Sequence, residues 1–259
     1  MMRFLGAVLF AMLALVTYAD SPEDKGLAIA LEASTRDDGW GDMKATMVMV
    51  LRNASGQESM RRIEMRSLEV EADGDKSLTI FSQPADIKGT AFLSHTHPTR
   101  PDEQWLYLPA LKRIKRISSS NKSGPFMGSE FAYEDLASQE IEKYAYRYLR
   151  NDTLGGDDHF VIERYPQYKR SGYKRQVVWI DVEHYRPIII EFYDRKDSLL
   201  KVLRFEDYAQ HLGRYWRAGK MTMTNEQTGK STVLKWQDYD FQNGLSERDF
   251  DRSVLKRIR

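Results

Sequence analysis

From Asp42 onward, apolar and polar positions alternate along this chain. Met43, Ala45, Met47, Met49 and Leu51 fall on one side of the first run, and Thr46, Val48 and Val50 on the other. That is the period-two rhythm of a half-buried strand. A turn signal at Asn53–Gly56 leads into a second run over 57–71, and Asp73-Gly74-Asp75 leads into a third over Ser77–Ser82. Further runs follow within 84–97 and over 104–108, 112–117, 144–148, 159–165, 174–182, 187–193, 199–208, 214–225 and 231–241. Gly155-Gly156, Ser171-Gly172, Arg195-Lys196-Asp197 and Gln227-Thr228-Gly229 punctuate them. Together they predict about ten or eleven strands in a hairpin meander.

Helical signals are few. Residues 22–37 read as a short helix with Leu27, Ala28 and Leu31 on one side. Ser129 is placed to cap a second helix over Glu130–Ala137, and Ser246 a third, with Phe250, Val254 and Leu255 as its apolar side. Between them, 118–128 is polar and glycine-containing, the composition of a flexible loop. One curved antiparallel sheet with short helices against one face is the simplest assembly.

The first segment changes the setting. Arg3 is followed by an apolar run from Phe4 to Val16, and Thr17-Tyr18-Ala19 supplies small residues where a signal peptidase reads. The run is shorter than the ~20 apolar residues a bilayer needs. The expectation is a signal peptide over 1–19, cleaved near Ala19, and one domain over 20–259 in the periplasm of a Gram-negative-type envelope. Loss of Arg3 leaves basic and acidic residues balanced, and the chain has no cysteine. A neutral, secreted chain lacks the electrostatic footprint of a nucleic-acid binder. Without cysteine there is no disulfide framework and no residue to carry a lipid anchor.

Three stretches carry a resemblance. They are ADIKGTAFL (85–93), DEQWLYLPALKRIKRI (102–117) and MGSEFAYEDL (127–136). As an ordered set they resemble the outer-membrane lipoprotein-sorting, LolA-like proteins, in the larger branch associated with exporters of the resistance-nodulation-division (RND) type. The resemblance covers roughly 25–259 and is sharpest over 84–136. It implies a mainly β, LolA/LolB-like fold: an incomplete antiparallel β-barrel with short helices covering its open side. It also implies a periplasmic carrier or chaperone. Such a protein would bind the acyl chains of lipoprotein or lipid cargo in an apolar cavity and move them from an inner-membrane RND-type exporter to an outer-membrane acceptor.

The residues offer candidates for these roles. Met43, Met47, Met49 and Leu51 form an apolar face suited to variable tails, since methionine adapts its shape. The same face suits an ordinary core, and Trp105 and Tyr107 share that ambiguity. Phe126 and Met127 interrupt a polar loop, so they read either as a gate or docking tip, with Phe131 and Tyr133, or as an anchor onto the sheet. Lys112, Arg113, Lys115 and Arg116 suit contact with anionic headgroups or an acidic partner. They equally suit an edge strand protected by charge. Glu134 and Asp135 are neighbours, which points them apart and favours a structural role, with lysine or arginine of the 112–117 run as partners. His95 and His97 alternate, but no third metal ligand is suggested beyond Asp102 or Glu103. No catalytic signature or cofactor motif is present. Two other readings stay open: an accessory that docks on an RND-type transporter and carries nothing, and an envelope hydrolase on a β scaffold.

Overall fold

The computed structural model describes residues 21–71 and 73–258. The candidate signal segment 1–19 lies outside them. A helix α1 (Pro22–Asp37) precedes β1 (Asp42–Arg52), β2 (Glu58–Leu68), β3 (Lys76–Gln83), β4 (Ala91–His95), β5 (Glu103–Leu108) and β6 (Arg113–Arg116). After a long connection come β7 (Tyr144–Leu154), β8 (Asp157–Pro166), β9 (Tyr173–Asp181), β10 (Pro187–Asp194), β11 (Leu199–His211), β12 (Tyr215–Asn225) and β13 (Ser231–Phe241).

All thirteen strands join one antiparallel sheet in the order β6-β5-β4-β3-β2-β1-β13-β12-β11-β10-β9-β8-β7. Alternation identified the runs correctly, but the expected total of about ten or eleven is too low. Each of the thirteen runs named from the sequence, including the short β4 and β6, forms its own strand. β1 has its neighbours on both sides, pairing with β2 and β13. The two edges are β6 and β7, which are consecutive strands. The sheet therefore stays unclosed, and residues 117–143 must run from one edge to the other across its inner face.

α1 forms where expected. Ser21 Oγ accepts the Asp24 N–H at 3.0 Å, and Pro22 opens the first turn. Its buried side is not the expected one. Gly26, Ile29 and Ala30 face the protein, whereas Leu27 and Leu31 are 39% and 47% exposed. The reason is close approach: a Cβ on Gly26 would lie 2.6 Å from the Tyr148 backbone nitrogen in β7. A helix lying directly on a strand presents its smallest residues, not its largest.

The other two expected helices are 3₁₀ turns. Within 130–137 only Tyr133–Leu136 coils. The Tyr133 and Glu134 N–H groups donate to the Gly124 and Lys122 carbonyls instead of to their own turn. The C-terminal stretch breaks into Glu247–Phe250 and Arg252–Arg257 because Asp251 caps a fresh start, accepting the Ser253 N–H at 2.7 Å. Its Phe250 and Leu255 pack on the outer face of the sheet, against Leu78, Leu93, Trp105 and Tyr107. The main core lies on the inner face, from Ile63, Phe81 and Phe92 on one side to Ile162, Val178 and Leu203 on the other.

Candidate functional site

The inner face is divided between a plug and a cavity. Over β1–β5, residues 126–133 of the crossing segment fill the trough. Phe126 is 1% exposed, with ring centroids 5.8 Å from Phe81, 5.2 Å from Phe92 and 5.5 Å from Tyr133. Over β7–β13 the trough is open beneath α1 and residues 135–141, and it holds a cavity of about 1030 Å³. That is at the top of the ~300–1,000 Å³ range of ligand sites. Its wall is apolar where it is deepest, formed by Ile162, Val178, Ile180, Ile190, Phe192 and Leu203. α1 adds Ala30 and Ala33, and the crossing segment adds Phe131 and Ile141.

That segment is a strap tied at discrete points. Lys201 Nζ, on β11, reaches Asp135 Oδ2 at 2.6 Å and the Glu130 carbonyl at 2.9 Å. Asn225 Nδ2 donates to Glu130 Oε2 at 2.7 Å, and the Tyr173 hydroxyl to Asp135 Oδ1 at 2.8 Å. Glu134 accepts from Tyr168, Ser171 and the Gly172 N–H. Burial pushes its carboxyl up, and those three donors oppose the rise. At the β5 end, Asp102 binds Lys122 at 2.7 Å and Lys143 at 2.6 Å. Burial raises Asp102, but the two ammonium groups outweigh it and hold the carboxyl below its ordinary range. At the cavity rim, Ser138 Oγ donates to Asp75. Burial pushes Asp75 up to about 6, and burial with the nearby Asp75 charge pushes Glu140 up to about 7.

The residues singled out in the sequence separate. Met43 lines the cavity, and so does Phe131. Met47, Met49 and Leu51 belong instead to the packed inner core, with Met49 only 1% exposed. Trp105 and Tyr107 point to the outer face, away from the cavity, because β5 alternates and Leu106 takes the inner position. Phe126 is an anchor, not an exposed tip. Met127 and Tyr133 pack beside it, and Arg61 donates to the Met127 carbonyl. Lys112, Arg113, Lys115 and Arg116 are exposed on the edge strand and the turn before it, with Arg116 reaching Glu103 at 3.1 Å. Asp135 takes its cation from Lys201, not from the 112–117 run. His95 and His97 go to separate partners, the Phe250 carbonyl at 2.8 Å and Asp73 at 2.6 Å. Among the described residues no group of three or more His, Cys, Asp or Glu is arranged to hold a metal ion, and no helix is long and apolar enough to cross a membrane.

The apolar wall that sequence reasoning missed is on β8–β11, and Tyr146 and Arg164 stand beside it on β7 and β8. Both fall within strand runs of the sequence and are not among the residues singled out there. The available signal was Arg164 itself, a charge on the same side of its strand as Phe160 and Ile162.

Comparisons with known proteins follow this geometry. A family described only as an uncharacterised protein matches residues 73–257. A crystal structure of a domain described as an outer membrane lipoprotein-sorting protein, from Vibrio parahaemolyticus, is 61% identical. The match covers 90% of this chain and 99% of that chain, with a TM-score of 0.89. A DUF1329 family protein from Desulfovibrio piger is 29% identical over 91% of this chain and 100% of that one, with a TM-score of 0.86. A LolA superfamily protein from Nitrosomonas europaea shares the fold at 21% identity and a TM-score of 0.71, over 88% of this chain and 98% of that one. No curated protein matches the chain.

Proposed function

The chain belongs to the LolA-like outer-membrane lipoprotein-sorting family, and from that premise we propose that it is a periplasmic carrier that shields the acyl chain of a lipid or lipoprotein. The observation that carries this reading is the cavity of about 1030 Å³ with its apolar wall, held between the sheet, α1 and the strap. Each methylene withdrawn from water contributes ~0.8 kcal/mol, so a chain of a dozen supplies ~10 kcal/mol before ordering costs. No chemical step is needed, only opening, loading and release. The strap is the element suited to move, because polar ties at Lys201, Asn225 and Asp75 fasten its cavity side.

In this reading an inner-membrane RND-type exporter supplies the cargo and an outer-membrane acceptor receives it. The exposed basic edge strand β6, with Leu111 63% exposed just before it, favours a contact surface for anionic headgroups or an acidic partner. That same surface is what a docking accessory without cargo would use.

Native mass spectrometry of the mature protein from its own periplasm, followed by organic extraction, separates the two. A co-purifying acyl-bearing species at a stoichiometry near one supports the carrier and identifies the cargo class. A clean apo mass, with no uptake of offered phospholipid or lipopeptide, refutes the carrier and leaves the accessory.

A further inference from the structure

The cavity wall carries a buried cation with no anion of its own. Arg164 lies within β8, 9% exposed, with its guanidinium over the Tyr144 ring at 5.0 Å. Its Nε donates to Gln176 Oε1 at 2.6 Å, a neutral acceptor. Its two terminal nitrogens make no hydrogen bond or ion pair with any described residue, and the side chain lines the cavity. Of the other cations around the same space, Arg186 pairs with Asp181, Arg217 with Asp37, Arg36 with Glu32 and Lys201 with Asp135, while Arg214 is exposed to solvent and donates to the Thr35 carbonyl. The buried carboxylates of the strap are already committed, Asp135 to Lys201 and Glu134 to its three donors. A guanidinium taken out of water without a counter-ion is costly, so such groups are paired in the fold or serve a ligand.

Strand register determines what stands beside it. Tyr146 on β7 is directly opposite Arg164, and Gln176 on β9 faces it from the other side. Tyr146 also lines the cavity, and its hydroxyl has no hydrogen-bond partner among the described residues. A fork of N–H donors and a phenolic O–H thus meet at one place in a largely apolar chamber. That fork matches two oxygens of a carboxylate or phosphate. A neutral ester would leave the positive charge uncompensated.

We propose that Arg164, with Tyr146 beside it, is the subsite for an anionic oxygen group, carboxylate or phosphate, on an amphiphile whose chain occupies the cavity; this rests on the carrier reading above. The test is displacement of the neutral dye N-phenylnaphthylamine from the mature chain by laurate, methyl laurate and lauroyl lysophosphatidate, with the carboxylate ionised. The wild type should bind at least one anion ~10- to 100-fold more tightly than the ester. Whichever anion binds better identifies the group. Arg164→Gln should abolish the preference and leave ester affinity unchanged, and Arg164→Lys should retain part of it. Equal binding of anions and ester by the wild type, or a preference that survives Arg164→Gln, overturns the subsite and leaves the carrier intact. The wild-type comparison stands even if a variant fails to fold. Failure of the dye and all three ligands to bind overturns the carrier reading and the subsite together.

Discussion

Replacing Lys201 by methionine should free the strap before it unfolds the sheet. Lys201 and Asp135 are each 5% exposed and 2.6 Å apart, and Lys201 also holds the Glu130 carbonyl at 2.9 Å. Methionine keeps the apolar stem and approximate volume while deleting the charge. Asp135 would then stay buried with two donors left, the Ala132 N–H at 2.7 Å and the Tyr173 hydroxyl at 2.8 Å. Removing one partner of a buried ion pair costs about 3–5 kcal/mol, and the surviving donors put this case near the lower figure. Against a usual total of about 5–15 kcal/mol the loss is large. Urea unfolding should show it as a lower midpoint at unchanged slope. Adding Asp135→Asn should recover most of it, because an amide buries no net charge. Hydrogen exchange locates the effect: amides of 126–136 should lose protection while β8–β11 keep theirs. A Lys201→Met protein within about 1 kcal/mol of wild type would refute the clamp. So would a destabilised protein whose strap exchanges as before.

Three further outcomes follow from the packing and the rim. Asp75 and Glu140 have folded pKa values of about 6 and about 7, above their ordinary ones. Their ionisation penalty is therefore absent in acid and grows as pH rises from about 4 to about 7, so stability falls across that window. Asp75→Asn leaves an acceptor for Ser138 and should stabilise by about 3 kcal/mol at neutral pH and negligibly near pH 3; an equal gain in thermal midpoint at both would contradict the assignment. Phe126→Ala empties the plug and should cost about 3–5 kcal/mol in urea unfolding, whereas a loss below about 1 kcal/mol would mean that the plug is loosely seated. Gly26→Ala favours the helix intrinsically by up to ~1 kcal/mol but places a Cβ 2.6 Å from β7 backbone; calorimetry should find a net loss of about 1–3 kcal/mol, with Leu31→Ala on the exposed side nearly neutral as the control.

What the sequence revealed and what it hid have the same physical origin. Alternation is local, so the sheet and the inner side of β1 could be read directly from Met43 to Leu51. The α1 face was misread because large apolar residues mark burial only where there is room for them, and against β7 there is none. The helix expected over 130–137 failed because Glu134 and Asp135, which would lie inside it, are bound by Lys201, Tyr173 and the 168–172 turn, all distant in sequence. Periodicity assigns a side chain to a face but not to a height along the strand. Height comes from register, and register places Tyr146, Arg164, Gln176, Phe192, Lys201 and Asn225 opposite one another in one row across six strands. The row divides by what meets it. At Lys201 and Asn225 the strap supplies Asp135 and Glu130, and the trough is fastened shut. At Arg164 and Tyr146 no acid of the strap makes a hydrogen bond or ion pair among the described residues, and the trough stays hollow. In the proposed carrier, a cargo anion held at Arg164 would lie on the same strands that hold the strap, so that loading and strap closure would act on one floor.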